Sequence, residues 1–383
     1  MEQQTENTLS FDTLNLQKEI LKGVYLYGFE KPSKIQLEGI SALNKEKDCL
    51  LQSQSGTGKT ATYLLGVLNR FEKNNKCQGI IITPTRELGE QVYNVASEIS
   101  KFTHYKVACC IGGTNIKKNI LDLKNANLVI GTLGRISHME KIKKINYENI
   151  KILVLDEADN ILSFGYSEKI EELLGLLKHS QKCLISATMT KEVFDITKQF
   201  LKDPAKILLK KDQVAVKAIL QFYHNVEIED YKFETLLDLY NILSTSQTII
   251  FCNTIRKVTW LDEKLNENNF SITTIHGQMD QEERNRIVED FRNGKTRLLL
   301  TTDLLARGID IPDVSLVINY DLPKSKETYI HRIGRSGRFG KKGVSITLVK
   351  MNDLADVKNL NRLQNQYKID IKQLPHNITD YLI

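Results

Sequence analysis

No disulfide framework and no metal-ligand spacing can be drawn from the cysteines. The six of them, Cys49, Cys77, Cys109, Cys110, Cys183 and Cys252, include no C-x-x-C pair and no Cys/His run spaced for a metal. Most lie within or beside apolar runs, so they read as small core residues of a protein kept in a reducing compartment. Long apolar runs are missing too. None reaches the roughly 18 residues of a membrane span, and the polar start Met1–Ser10 is not a secretory leader. An intracellular protein without a membrane partner is expected, and the N-x-S/T matches at Asn269 and Asn377 then read as chance. A dominant charge of one sign is also absent. Fifty-three Lys and Arg against 47 Asp and Glu leave +6, which permits a polyanionic partner without requiring one.

What is present is enough chain for two domains, with 383 residues of ordinary globular composition. Short β-branched runs alternate with longer helix-like stretches, the pattern of parallel sheets covered by helices. The expected strands are Asp48–Ser53, Gly79–Thr83, Lys106–Ile111, Leu128–Thr132, Lys151–Leu155 and Lys182–Ser186 in the first half. Thr248–Asn253, Ser271–His276, Arg297–Thr301, Leu316–Tyr320 and Val344–Val349 follow in the second. The lysine-bearing stretch Leu208–Ala218 has neither period and predicts the linker, so residues 39–209 and 219–383 are expected as the two domains, joined through 210–218. Ligands of such sheets sit beyond the carboxyl ends of the strands.

Ser53, Gln54, Ser55, Gly56, Thr57, Gly58, Lys59 and Thr60 directly follow the first strand. Glycines there permit a tight loop whose N–H groups wrap phosphates, Lys59 would neutralise them, and Thr60 would place a hydroxyl on Mg²⁺ at a helix start. Ser53 stands where the usual pattern has glycine. The buried strand Lys151–Leu155 then delivers Asp156, suited to hold Mg²⁺ through water, and Glu157, suited to polarise an attacking water. Without the phosphate loop the two acids would be as readily a solvated helix start. Phe29 and Gln36 could stack on and pair with adenine. On the residues alone, an ordinary core Phe in a proline-containing turn is the simpler reading.

In the second half, His331-Arg-Ile-Gly-Arg-Ser-Gly-Arg-Phe-Gly340 carries three arginines among three glycines. Arg335 and Arg338 share a face on a helical turn and suit a γ-phosphate as arginine fingers; a solvated basic turn or RNA-backbone contact is the alternative. Arg307-Gly308-Ile309-Asp310 follows the strand Arg297–Thr301, and Asp310 could accept from a ribose hydroxyl. Further strand-end segments offer hydroxyls, open N–H groups and arginines for backbone contact without base reading. They are Pro84, Thr85 and Arg86; Gly112 and Gly113; Thr132, Gly134 and Arg135; Asn253 and Thr254; Arg284; and Thr302. Each taken singly is an ordinary loop or helix cap.

Together and in this order the segments resemble the DEAD-box RNA helicases over nearly the whole chain. Asp156-Glu157-Ala158-Asp159 matches the name-giving tetrad and Ser186-Ala187-Thr188 the Ser-Ala-Thr motif. Gly28–Gln36 is similar to the adenine-sensing motif, with Phe11 as its isolated upstream aromatic. Within the family the chain looks most like the translation initiation factor 4A subfamily, in Thr301–Asp310 and the ending Leu374–Ile383 among other stretches. The resemblance implies two RecA-like domains in tandem on a short flexible linker, preceded by an adenine-sensing segment over residues 1–38. It implies ATP and Mg²⁺ as cofactors, with Phe29, Lys31, Gln36, Gly308 and Asp310 around the nucleotide. Ser186, Thr188, His331 and Arg332 would couple ATP to RNA.

The same resemblance implies an RNA-dependent ATPase that separates short duplexes when its domains close. Such a protein is expected to be a cytoplasmic monomer recruited by scaffold and accessory factors of the cap-binding initiation complex. A nuclear paralogue serving as an ATP-gated RNA clamp, in exon-junction or ribosome-assembly work, is the alternative. A DNA helicase is a second rival, since only backbone contacts that read the 2′-OH would favour RNA, and a comparison of RNA and DNA stimulation separates the two; a small-molecule kinase is disfavoured because it leaves the second-half arginines unused. Two departures from the family stand out: Leu133 replaces a proline and Ser53 an alanine. Altered RNA affinity or rate is expected from them, with the mechanism intact.

Overall fold

The structure is a computed structural model and describes residues 10–52, 58–208, 219–243, 247–303, 314–323, 325–336, 343–367 and 369–375. The chain divides into two compact units, Met1–Lys210 and Lys211–Ile383. The expected linker, 210–218, lies outside the described residues.

Strands of the first unit are β1 (Cys49–Gln52), β2 (Gly79–Thr83), β3 (Val107–Cys110), β4 (Leu128–Thr132), β5 (Ile152–Leu155), β6 (Gln181–Ser186) and β7 (Ala205–Leu208). Those of the second are β8 (Ile219–Asn225), β9 (Thr248–Phe251), β10 (Ile272–Ile275), β11 (Leu298–Thr301), β12 (Leu316–Asn319), β13 (Gly343–Val349) and β14 (Lys372–Gln373). Each unit forms one seven-stranded sheet, ordered β3-β4-β2-β5-β6-β1-β7 and β10-β11-β9-β12-β13-β8-β14. Every paired strand is parallel. Adding seven to each strand number of the first sheet gives the order of the second, so one topology occurs twice.

Apolar strands arise because both sheet faces are covered. In the first unit, Leu51, Ile81, Val154 and Ile185 enter one core, while Leu50, Ile80, Ile82, Leu153 and Leu155 enter the opposite one. Ile250, Leu300, Ile318 and Ile346 occupy one face of the second sheet, and Ile249, Phe251, Leu299 and Val317 the other. Each such fully buried side chain contributes about 1.5–3 kcal/mol of transfer free energy. Most positions of the central strands face one core or the other, which is why these strands are legible as apolar runs; polar exceptions such as Thr83, Ser186 and Ser345 are themselves buried.

Three strands escape a search for such runs: β7, β8 and β14. β7 and β14 are the last strands of their sheets, and β8 is covered on its outer side only by the two-residue β14. In β7 only Ile207 is buried, so Ala-Lys-Ile-Leu reads as a polar stretch. In β8 Gln221, Tyr223 and His224 interrupt the apolar positions. The expected linker stretch therefore loses Leu208 to a strand.

Candidate active site

β1, β6 and β5 are consecutive in the first sheet, so their carboxyl ends bring three sequence-distant segments together. Ser53, Gln54, Ser55, Gly56 and Thr57, which follow β1, lie outside the described residues. Gly58 is described and has φ 91°, a left-handed value that suits glycine. A Cβ there would stand 2.6 Å from Gln36 Nε2, so a second reason for glycine is close approach. The helix Lys59–Asn69 begins at the next residue.

Asp156 and Glu157 follow β5. The Asp156 N–H donates to the Ile82 carbonyl at 2.9 Å, extending the sheet ladder by one residue. Its buried carboxylate accepts from Tyr63 Oη at 2.7 Å and from the Glu157 N–H at 2.9 Å. Burial raises the Asp156 pKa, and the Tyr63 hydroxyl, the nearby Lys59 charge and the Glu157 N–H each oppose that rise. Glu157 sits in the left-handed region at φ 50°, ψ 52°, where it caps the short helix Ala158–Ile161. Such a backbone costs about 1–3 kcal/mol for a non-glycine residue. It turns the carboxylate toward Asn160, whose Nδ2 donates to Glu157 Oε2 at 2.6 Å.

Ser186 ends β6 and donates to the Thr188 carbonyl at 2.6 Å. Thr188 reaches Asp159, its hydroxyl at 2.7 Å and its N–H at 3.2 Å from Oδ2. The Ser-Ala-Thr segment is thereby fastened to the last acid of the tetrad.

Around the expected adenine site, Gln36 is buried and already engaged. Its Oε1 accepts from the Ser33 N–H at 2.7 Å within a capping box, and its Nε2 lies 3.5 Å from the Gly58 carbonyl. Gln36 thus ties the helix Lys34–Asn44 to the exit of the phosphate loop. Phe29 is half-buried, with its ring 6.1 Å from that of Phe11 and 5.1 Å from that of Tyr27. Phe11 is wholly buried and braces Phe29 from below. Lys31 is exposed.

The other half of the same sheet, β3-β4-β2, gathers the expected backbone-contact residues. Pro84, Thr85 and Arg86 follow β2; Gly112 and Gly113 follow β3; Thr132, Gly134 and Arg135 follow β4. Thr85 caps the helix Arg86–Ile99 by accepting the Leu88 N–H, and the Arg86 guanidinium lies beside Gly112. Arg135 donates to the Thr114 carbonyl at 3.0 Å and to Asn119, so it holds the Gly112–Gly113 turn in place. Gly134 is exposed, with open space where a Cβ would be. Leu133 is buried in the core.

In the second unit the equivalent strands, β10-β11-β9, carry Asn253, Thr254, Arg284 and Thr302. Thr254 caps the helix Ile255–Glu267. Arg284 is buried and donates to Gln281 Oε1 at 2.6 Å. Thr302 follows β11 and is half-buried. Asn253 is held on three sides: its N–H by Asp321, its amide by the Leu322 carbonyl, and its Oδ1 by Arg332 at 2.7 Å. Arg332 is fully buried. It also pairs with Asp303 at 2.6 Å and donates to the Asp321 carbonyl at 2.9 Å, with Phe251 beneath it. It therefore locks the ends of β9, β11 and β12 together. His331 and Arg335 are buried as well; Gly308, Asp310 and Arg338 lie outside the described residues.

Sequence reasoning missed two residues of this site, Tyr63 and Asn160. Each had a faint signal, standing three residues beyond Thr60 and Glu157 respectively. Tyr63 was hidden inside an apolar helix and Asn160 looked like an ordinary polar position.

Two parallel-sheet units bearing a phosphate-loop exit, paired acids and a buried arginine hub define a nucleotide-driven motor class. Residues 33–196 match the DEAD/DEAH box helicase family and residues 231–340 the helicase conserved C-terminal domain. The chain belongs to the DEAD-box helicase family. It is 46% identical to the "ATP-dependent RNA helicase eIF4A" of Phaeosphaeria nodorum, over 98% of this chain and 95% of that protein. Its fold superposes with a TM-score of 0.89 on S. cerevisiae Dbp5 bound to RNA and ADP BeF3, at 37% identity and covering 97% of each chain. Mss116p bound to ssRNA and AMP-PNP gives a TM-score of 0.84 at 25% identity, covering 96% of this chain and 79% of that one. Both sheets match tandem RecA-like domains.

Proposed function

We propose that this DEAD-box helicase is an RNA-dependent ATPase of the initiation factor 4A type. It binds single-stranded RNA along its backbone, separates short duplexes, and works in translation initiation. The observation that supports this most is the division of the first sheet's carboxyl edge. The nucleotide chemistry stands on β5, β6 and β1, and the backbone-contact loops stand on the neighbouring β3, β4 and β2. ATP and RNA would thus share one rigid edge, with Thr188 bound to Asp159 next to the catalytic pair.

In this scheme Phe29, Lys31 and Gln36 receive adenine, Ser53 to Thr60 the phosphates, and Gly308 and Asp310 the ribose. Thr60 and Asp156 would hold Mg²⁺, which when bound neutralises charge on the phosphates. The donor set fits that ion. It offers a hydroxyl and a carboxylate, and no group of three or more His, Cys, Asp or Glu ligands occurs among the described residues. Mg²⁺ takes one or two protein oxygens with the remaining positions left to water and phosphate. Glu157, oriented by Asn160, aims the attacking water. Arg335 and Arg338 receive the terminal phosphate as arginine fingers. The RNA backbone is received by Pro84, Thr85, Arg86, Gly112, Gly113, Thr132, Gly134 and Arg135 and by Asn253, Thr254, Arg284 and Thr302. Arg135, Arg284 and Asn253 serve chiefly by holding their loops in shape. Ser186, Thr188, His331 and Arg332 carry the coupling. A cytoplasmic monomer, directed by scaffold and accessory proteins of the cap-binding complex, completes the proposal.

The test is ATP turnover with and without single-stranded RNA, beside separation of a short RNA duplex. RNA should stimulate turnover, ATP should drive strand separation, and Lys59→Ala should abolish both. Turnover indifferent to RNA would overturn the proposal.

A further inference from the structure

Eight consecutive residues of the helix Lys59–Asn69, Ala61 to Leu68, are buried. One of them, Tyr63, is fully enclosed and carries a hydroxyl that packing alone does not require; phenylalanine would fill nearly the same space. A buried phenol must place its O–H on a partner. Tyr63 donates to Asp156 Oδ2 at 2.7 Å. Thr60, one helical turn earlier and so on the same helix face, stands near the same hydroxyl and opposes the rise that burial gives its pKa. Thr60 and Asp156 are the two side chains assigned above to Mg²⁺, and Tyr63 is bonded to the second and stands beside the first.

We propose that Tyr63 is a positioning residue for the Mg²⁺–nucleotide site, its hydroxyl orienting Thr60 and Asp156 together. The inference rests on the ATPase reading above. Its chemistry follows from the direction of the bonds. A threonine hydroxyl that ligates a cation must turn its proton away and present a lone pair. A Thr60 proton turned toward the Tyr63 oxygen does this. Tyr63 passes its own proton toward Asp156, fixing the carboxylate plane from one side while the Glu157 N–H fixes it from the other. Each carboxylate oxygen keeps a lone pair for metal-bound water. Groups that orient metal ligands in this way typically change metal affinity by 10–100-fold when removed.

The experiment uses the full chain and a fluorescent ADP, with Mg²⁺ titrated from an EDTA-treated start. Tyr63→Phe is expected to raise the Mg²⁺ concentration for half-maximal nucleotide binding by about tenfold, with nucleotide affinity in EDTA unchanged. In an Asp156→Ala background the same change should add little further shift, because the acceptor is gone. A Tyr63→Phe midpoint equal to that of the wild type would overturn the inference. A wild-type chain whose nucleotide affinity ignores Mg²⁺ would instead overturn the ATPase reading beneath it. Should Tyr63→Phe not fold, 3-fluorotyrosine at position 63 supplies a second readout. Its fluorine resonance should move when Mg²⁺ is added to the ADP complex, and an unmoved resonance also overturns the inference.

Discussion

Glu157 holds a left-handed backbone at φ 50°, and Asn160 Nδ2 donates to its carboxylate at 2.6 Å. In the proposed scheme the two residues bear on water activation and not on nucleotide binding. Glu157→Gln should lower kcat by roughly 10²–10⁴-fold, the usual contribution of a positioned base, while leaving ATP affinity within a small factor. Asn160→Ala keeps the carboxylate but removes one hydrogen bond that orients it, so a smaller loss, on the order of tenfold in kcat, is expected. Single-turnover hydrolysis with saturating RNA measures both. Equal losses for the two variants would mean that orientation matters as much as the carboxylate itself. An unaffected Asn160→Ala would remove Asn160 from the site.

Among the elements of the second unit, the ends of β9, β11 and β12 depend on charges that are buried or half-buried. Arg332→Ala would leave Asp303 and Asn253 without their shared partner. Asp303 is 41% exposed and can rehydrate, so the loss expected is about 1–3 kcal/mol, mainly from the hydrogen bonds left unmade at Asn253 and the Asp321 carbonyl, and denaturant unfolding of the full chain would show it. Beside this hub, the buried Lys232 pairs with Glu229 at 3.1 Å and Asp321 at 3.5 Å, and Lys257 reaches Glu229 at 2.7 Å. Burial would raise the Glu229 pKa, but the two lysines outweigh it and hold the carboxyl at about 2, from an ordinary 4.5. Because the folded value is the lower one, the stabilisation is complete above pH 4.5 and disappears as pH falls toward 2. Glu229 is 38% exposed, so solvent screening reduces the benefit to on the order of 1 kcal/mol. Thermal melts should place Glu229→Gln below the wild type at pH 7, with the gap closing between pH 4.5 and 2; a gap constant with pH would contradict the assignment.

The same elements show what was legible beforehand. Central strands such as β2 and β5 announce themselves because both faces are buried, whereas β7, with Ile207 as its single buried residue, could be recognised only by its neighbour β1. The phosphate loop, the acids and the arginine-rich segment were visible as local patterns. Tyr63 was not, since the closeness of Tyr63 to Asp156 depends on β1 and β5 flanking β6, and no local spacing encodes strand order.

At the scale of the whole molecule, one parallel-sheet topology is used twice, with the proposed nucleotide chemistry and backbone-contact loops on adjacent strands of the first sheet and the arginine hub in the second. If ATP and RNA both favour the same closed state, each must tighten the other by the same factor. The direct measurement is RNA affinity with a non-hydrolysable ATP analogue, with ADP and with no nucleotide, paired with analogue affinity in the presence and absence of RNA. The proposed coupling predicts RNA binding at least about tenfold tighter with the analogue, a coupling of about 1.4 kcal/mol, and an equal tightening of the analogue by RNA. RNA affinity that is the same in all three nucleotide states would contradict it.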